Sequence, residues 1–181
     1  PLAQRGYQVV AIDLSDELLA ELSTHAGGLP IRSVQDDFVE YLKRSDEKAG
    51  IIVCMGDTIT HLESIDRVSE CISQCARHLL PGGKIILTFR DYSVPLEKES
   101  RFIPVRSDAD TIFTCFVEYF DTYVEVYDIL HEREGSGWSQ KISSYRKLRL
   151  ARPKIESFMT KNGFSVSHTT DRGMITLVGQ K

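Results

Sequence analysis

A chain of 181 residues with 41% hydrophobic content can bury one core, with a lobe attached to it. Its net charge of -4 and isoelectric point near 5.8 argue against a phosphate backbone as the main partner, since nucleic-acid binding shows as a basic domain or face. No uninterrupted apolar run reaches the roughly 18 residues that span a bilayer, and no charged segment leads into an apolar one at the start. A soluble, cytoplasmic protein that uses neither nucleic acid nor membrane is therefore expected.

The first element in chain order is Gln8 to Leu14 (QVVAIDL), a β-branched apolar run ending in an acid, the form of a buried parallel strand with a polar residue at its carboxyl end. Ser15 caps the helix that follows, Asp16 and Glu17 lie in its positive first turn, Leu18, Leu19 and Leu22 give its apolar stripe, and Gly27 and Gly28 stop it. Leu29 to Val34 reads as a second strand that exits into Gln35, Asp36, Asp37 and Phe38, with a short helix through Val39, Tyr41 and Leu42. Gly50 to Met55 (GIIVCM) is the most uniformly apolar strand and is expected at the centre of the sheet. It runs into Gly56, Asp57 and Thr58. Thr60 to Glu63 has the Thr-x-x-Glu form of a capping box, with Ile65, Val68, Ile72, Ala76 and Leu79 at helical spacing behind it. Pro81, Gly82 and Gly83 are read as the turn that ends this helix and launches the strand Lys84 to Phe89.

Alternating strands and helices imply a parallel sheet with helices on both faces. The pattern then changes: Thr111 to Phe120, Tyr123 to Glu132 and Ser139 to Leu150 alternate in polarity and are separated by Asp121-Thr122 and Gly135-Ser136-Gly137, which predicts an antiparallel meander. Pro153 opens a further helix with Ile155, Phe158 and Met159 facing inward, Asn162-Gly163 closes it, and Phe164 to Ser167 with Met174 to Gly179 form a final hairpin. Cys54, Cys71, Cys75 and Cys115 lack CxxC spacing and a paired histidine cluster, so buried free thiols are expected, with no metal. Lys141, Arg146, Lys147, Arg149, Arg152 and Lys154 form a local basic run, read as a solvated strand face and helix start.

Four pieces together, VVAIDLS, QDDF, CMGDTITHL and LLPGGKIILTF, with KNGFSV and GMITLVG at the end, resemble class I S-adenosylmethionine-dependent methyltransferases. The resemblance implies an α/β, Rossmann-like sheet of order 3-2-1-4-5-7-6. Residues 1–92 and 151–181 would form this core and 93–150 an antiparallel β insert, or lid. The family's first strand and glycine-rich turn, which would stand immediately upstream of LAQRGYQVV, are absent from this chain. Upstream residues, a partner chain or a rearrangement would have to fill that place.

By the same resemblance the cofactor is S-adenosylmethionine. Asp13 would accept both ribose hydroxyls, with the alternative that it only caps a helix, and Leu14 would lie on the adenine. Asp36 or Asp37 would take the adenine amino group and Phe38 would stack or offer its amide, unless the acidic pair simply starts a helix. Met55, Gly56 and Asp57 would stand near the methionine portion. Thr58, Arg90, Tyr92 and Tyr127 are candidates for acceptor contact, and His61 for a general base. Asp91, Tyr119, Trp138 and Tyr145 face the same rim or pack structurally. The expected activity is methyl transfer to a small-molecule acceptor, with homo-oligomerisation left open. The alternatives are a methyltransferase-like binding module without activity and, last, a nicotinamide oxidoreductase.

Overall fold

The computed structural model describes residues 1–181 and divides into two compact units, Pro1–Lys48 and Ala49–Lys181. In the first, strands β1 (Val9–Asp13) and β2 (Ile31–Gln35) pair in parallel, Val9 opposite Ile31 through Asp13 opposite Gln35. Helix α1 (Asp16–Ala26) starts where Ser15 Oγ accepts the Leu18 amide, and it ends at Gly27, whose φ of 54° is the left-handed turn that glycine takes without strain. Of its apolar stripe only Leu19 is buried, whereas Leu18 stays more than half exposed. Helix α2 (Phe38–Arg44) is capped by Asp37, whose Oδ1 accepts the amides of Val39 and Glu40.

The second unit holds a four-stranded sheet in the order β3 (Ala49–Cys54), β4 (Leu79–Arg90), β10 (Met174–Gln180), β9 (Ser165–Asp171). Only the β3–β4 pair is parallel; β10 runs antiparallel to both neighbours. Within each of these two sheets the neighbours are those of the 3-2 and 4-5-7-6 portions of the expected order. The apolar strand β3 is not central in its sheet. It is an edge on which Ile51 and Val53 are exposed, as is Met55 just beyond it, and β4 is the inner strand. A continuous apolar run specifies two apolar faces but not which strands flank them.

Helices α3 (Ile65–His78) and α4 (Arg152–Lys161) pack on β4, β9 and β10. Val68, Cys71, Ile72 and Cys75 of α3 and Ile155 and Met159 of α4 are buried at the three- and four-residue spacing of one helix face, while Phe158 is only partly covered. Ile85, Leu87 and Phe89 stand opposite Gly179, Leu177 and Ile175 in register, which aligns them on one face. Gly179 is required there, because a Cβ would lie 2.6 Å from Met159 Cε and 2.8 Å from Ile85 Cγ2.

Two helix boundaries differ from expectation. Thr60 does not cap α3. It sits in a 3-10 turn, Thr58–His61, where its hydroxyl donates to the Asp57 carbonyl at 2.7 Å, and Ser64 caps α3 by accepting the Arg67 amide. The Thr-x-x-Glu pattern is satisfied by any local turn whose carbonyl lies in reach of the hydroxyl. The α3 helix stops at His78 and β4 begins at Leu79, so Pro81, Gly82 and Gly83 fall inside an irregular first stretch of the strand, where the register to β3 shifts. A Cβ on Gly83 would meet the Leu80 carbonyl oxygen at 2.8 Å.

Residues 102–148 hold a third, wholly antiparallel sheet in the order β5 (Phe102–Ser107), β6 (Thr111–Tyr119), β7 (Tyr123–Glu134), β8 (Gly137–Leu148). Strand β5 was not anticipated, because Pro104 and a register shift beside it interrupt the alternation by which strands are read. Val117, Val124 and Val126 are buried with Tyr92, and Ile103, Cys115, Tyr119 and Tyr145 pack around them. Arg149 fixes the base of this sheet, donating to the carbonyls of Tyr92 at 3.0 Å, Ser93 at 2.8 Å and Phe120 at 2.7 Å. No helix of the chain is long and apolar enough to cross a membrane.

Candidate functional site

An aspartate stands at or just beyond the end of each apolar strand that was expected to carry chemistry, Asp13 at the end of β1 and Asp57 in the turn after β3. In the first unit Asp13 closes β1 with its side chain exposed. Its Oδ1 accepts the Ser15 amide at 2.9 Å, and its Oδ2 receives nothing from the chain. The Leu14 side chain beside it is 70% exposed, and the Leu14 carbonyl accepts from Gln35 Nε2. The Asp36 amide donates to the Asp13 carbonyl, which draws the exits of β1 and β2 together. Asp36 pairs with Arg44, and Asp37 is the α2 cap, so each of these carboxylates already has a structural partner; Phe38, half-buried, opens the helix.

In the second unit β3 ends in a turn made by two consecutive left-handed residues, Gly56 at φ 73° and Asp57 at φ 75°. Aspartate tolerates this region better than most side chains. The Gly56 amide donates to Thr88 Oγ1 at 2.7 Å and the Asp57 amide to the Thr88 carbonyl at 3.1 Å, which fastens the turn to β4. Asp57 is 3% exposed. Its Oδ1 accepts the Arg90 amide at 2.8 Å, and its Oδ2 accepts the Tyr92 hydroxyl at 3.0 Å and Lys147 Nζ at 2.7 Å. The carboxylate thus joins β3, β4 and β8. Burial, and then the adjacent Asp57 charge, push the Tyr92 hydroxyl far above its usual range, so it is protonated and donates.

The basic run therefore is not one solvated face: Lys147 and Arg149 turn inward, while Arg146 remains outside, paired with exposed geometry to Glu125. A β-strand sends neighbouring residues to opposite faces, and Lys147 lies on the face that meets the β3 exit.

Thr58 donates its hydroxyl to the Met55 carbonyl at 2.8 Å, and Met55 itself is half exposed. The His61 ring lies 5.4 Å from the Tyr145 ring and, with Leu62, Tyr123, Arg146 and Lys147, lines a cleft of about 220 Å³. Desolvation first, and the Lys147 charge second, hold the His61 pKa below its ordinary value, so the imidazole is neutral at neutral pH. Arg90 has one guanidinium contact, to the Arg172 carbonyl at 3.3 Å, and no carboxylate partner. Asp91 accepts the amides of Ser93 and Arg152 and so starts α4.

Tyr127 does not join these groups. Its hydroxyl donates to Glu118 at 3.1 Å on the face of the antiparallel sheet that carries Phe116 and Tyr123, opposite to Val124 and Val126. Trp138 is 44% exposed under Arg133, and Tyr119 packs beneath Arg149. The inward neighbour of Tyr127, Asp128, escaped sequence reading; a single acid in an alternating strand reads as solvent-facing, and only the register shows which face is inside. Cys71 and Cys75 are buried and free, and burial pushes the Cys54 thiol up to about 12.

A parallel pair ending in an available aspartate, and a mixed sheet whose last strand is reversed, define a Rossmann-like methyltransferase fold. The family model described as a methyltransferase domain matches residues 1–83. The glycine/sarcosine N-methyltransferase of Aphanothece halophytica is 25% identical over 99 residues, covering 54% of this chain and 37% of that protein. The CcbJ methyltransferase of Streptomyces caelestis superposes with a TM-score of 0.82 at 19% identity, over 99% of this chain and 76% of that one. The S-adenosylmethionine-bound amino pentose methyltransferase of Micromonospora echinaspora gives 0.71 at 12% identity, over 99% and 86%. Residues 1–83 thus resemble a methyltransferase domain, and the chain shares its fold with S-adenosylmethionine-dependent methyltransferases. It spans little more than a third of the curated relative that it matches.

Proposed function

We propose that the protein is an enzyme that transfers a methyl group from S-adenosylmethionine to a small-molecule acceptor. The observation that carries this reading is Asp13: an exposed carboxylate at the carboxyl end of a parallel strand, with Oδ2 unpartnered and an exposed leucine beside it. Ligands of parallel α/β sheets bind at such strand ends. The residues fit the cofactor. Asp13 Oδ2 offers a charged acceptor for ribose hydroxyls and Leu14 an apolar surface for adenine. Phe38 stands at the β2 exit beside Asp36 and Asp37, whose carboxylates are engaged as ion pair and cap, so its backbone is the better adenine contact. The cofactor, when bound, supplies a sulfonium methyl that an acceptor lone pair displaces, the carbon–sulfur electron pair returning to sulfur.

In the second unit the proposed work is positioning. Gly56 keeps the turn after β3 narrow enough for close approach by a ligand, and Asp57 fixes that turn through its three donors rather than by touching the cofactor. Thr58, Arg90 and Tyr92 surround the same turn, of which Arg90 retains donors for an acceptor. Neutral His61 receives the proton that the acceptor releases. The antiparallel sheet of residues 93–150 serves as the lid, located in the cytoplasm with the rest of the enzyme. Calorimetric titration of S-adenosylmethionine into the intact protein tests this reading. Saturable binding that Asp13→Ala weakens is expected, and failure to bind would leave the binding module without cofactor as the better account.

A further inference from the structure

Three features stand outside the roles assigned so far. The outer face of the antiparallel sheet exposes Phe102, Ile112, Trp138 and Ile142, but nothing in the structure shows what covers it. Cys71 and Cys75 are buried beside each other in the helical core with no route to a ligand. The third feature, Asp128, carries further.

Asp128 lies on β7 at the same face as Val124 and Val126, the two residues that pack the sheet against Tyr92. It is the position at which that face passes from full burial to partial exposure. Its Oδ1 accepts the Cys115 thiol at 3.1 Å from β6 and the Tyr145 hydroxyl at 3.4 Å from β8, the strands on either side. Burial and Asp128 push both donors up to about 12, so both are protonated and hold the carboxylate in one orientation. Its Oδ2 receives nothing from the chain, and no lysine, arginine or histidine pairs with it. The neighbouring cation on this face, Lys147, is consumed by Asp57.

The Asp128 carboxylate has no direct cationic partner, although the charges of Lys147 and Arg90 reach Cys115 beside it. Here it is fixed by two neutral donors and open on one oxygen. Tyr145 links it to the proposed reaction rim, since the same ring lies 5.4 Å from the His61 ring. Resting on the methyltransferase reading above, we propose that Asp128 is the specificity-determining residue for the acceptor, its free Oδ2 binding the cationic nitrogen of an amine. The acceptor class is then an amine that arrives as its ammonium and yields a proton to His61 before its lone pair displaces the sulfonium methyl, and neutral hydroxyl acceptors of the same shape are bound more weakly. A cation fits this place and an anion does not, because carboxylate and ammonium form a charge-assisted hydrogen bond where solvent is partly excluded.

The test uses the intact protein with S-adenosylhomocysteine bound, and measures binding of glycine, glucosamine and its neutral counterpart glucose by ligand-observed NMR. Asp128→Asn keeps an oxygen for Cys115 and Tyr145 and so preserves the fold while removing the charge. At least one amine should bind, and bind about tenfold or more weakly to Asp128→Asn, with S-adenosylhomocysteine affinity and melting temperature unchanged. Asp128→Glu should recover part of the loss, and Tyr145→Phe, which removes a donor but no charge, should change amine binding by less than about threefold. Equal amine affinity in wild type and Asp128→Asn would overturn the proposal, as would glucose binding as well as glucosamine. Wild-type protein that binds S-adenosylhomocysteine but no amine would overturn it while leaving methyl transfer standing. A protein that binds neither would remove the methyltransferase reading as well.

Discussion

Asp13 and Asp57 follow apolar parallel strands in much the same sequence setting, and the structure gives them opposite fates. Asp13 is exposed, holds one local amide and keeps an oxygen free. Asp57 is buried, stands in a left-handed turn and accepts three donors from distant parts of the chain. The difference teaches that an acid at a strand end marks a location, whereas its availability is set by what the rest of the chain brings there. The antiparallel sheet decides the case for Asp57, because Lys147, ninety residues on in sequence, uses the oxygen that a ligand would otherwise take.

The largest effect that would break the comparison lies at Lys147. Lys147→Met leaves the buried Asp57 charge without its cation, and urea denaturation should show a loss of about 3–5 kcal/mol. If stability falls by less than about 1 kcal/mol, the ion pair is not what holds Asp57 in place. The double variant with Asp57→Asn should be more stable than the sum of the single losses predicts, by about 1–3 kcal/mol, since it leaves no lone buried charge whereas each single change leaves one.

Asp13→Ala gives the contrasting case. Stability should change by less than about 1 kcal/mol, the scale of one exposed hydrogen bond, while S-adenosylmethionine binding weakens by about 1.5–3 kcal/mol in calorimetry. Equal effects on folding and binding would put Asp13 in the same category as Asp57. A finer probe is Tyr92→Phe, which removes one of the three donors to Asp57 and leaves the ion pair. A loss of about 1–2 kcal/mol is expected, with cofactor affinity unchanged.

The smallest effect is a pH dependence at His61. Its pKa in the folded protein is lowered, so the unfolded chain takes up the proton more readily once the pH falls below the unfolded value of about 6.5. More protons bound by the unfolded state means that stability rises with pH through this window and is lost on acidification. His61→Gln should flatten that part of the stability profile. An NMR titration should place the His61 pKa below 6.5 in the wild type and higher in Lys147→Met, where the repelling charge is gone. No movement between the two would show that desolvation alone depresses it.

Much of this molecule was legible in its residues. The strands β1, β3 and β4, the Ser15 cap, the Gly27 stop, the helix opened by Pro153 and the closing hairpin all follow from local periodicity and turn chemistry, which act over a few neighbouring residues. So does the location of Asp13 at a strand exit. What local pattern does not contain is pairing. It put β3 at the centre of a sheet where it forms an edge, assigned Thr60 to a helix cap when its hydroxyl serves the Asp57 carbonyl, and read Lys147 as solvated when it is buried on an acid. It singled out Tyr127 rather than Asp128, although these adjacent residues differ only in the face they occupy. Alternation defines two faces of a strand, and only the register with β6 and β8, together with the packing of Val124 and Val126 on Tyr92, decides which of the two is inside.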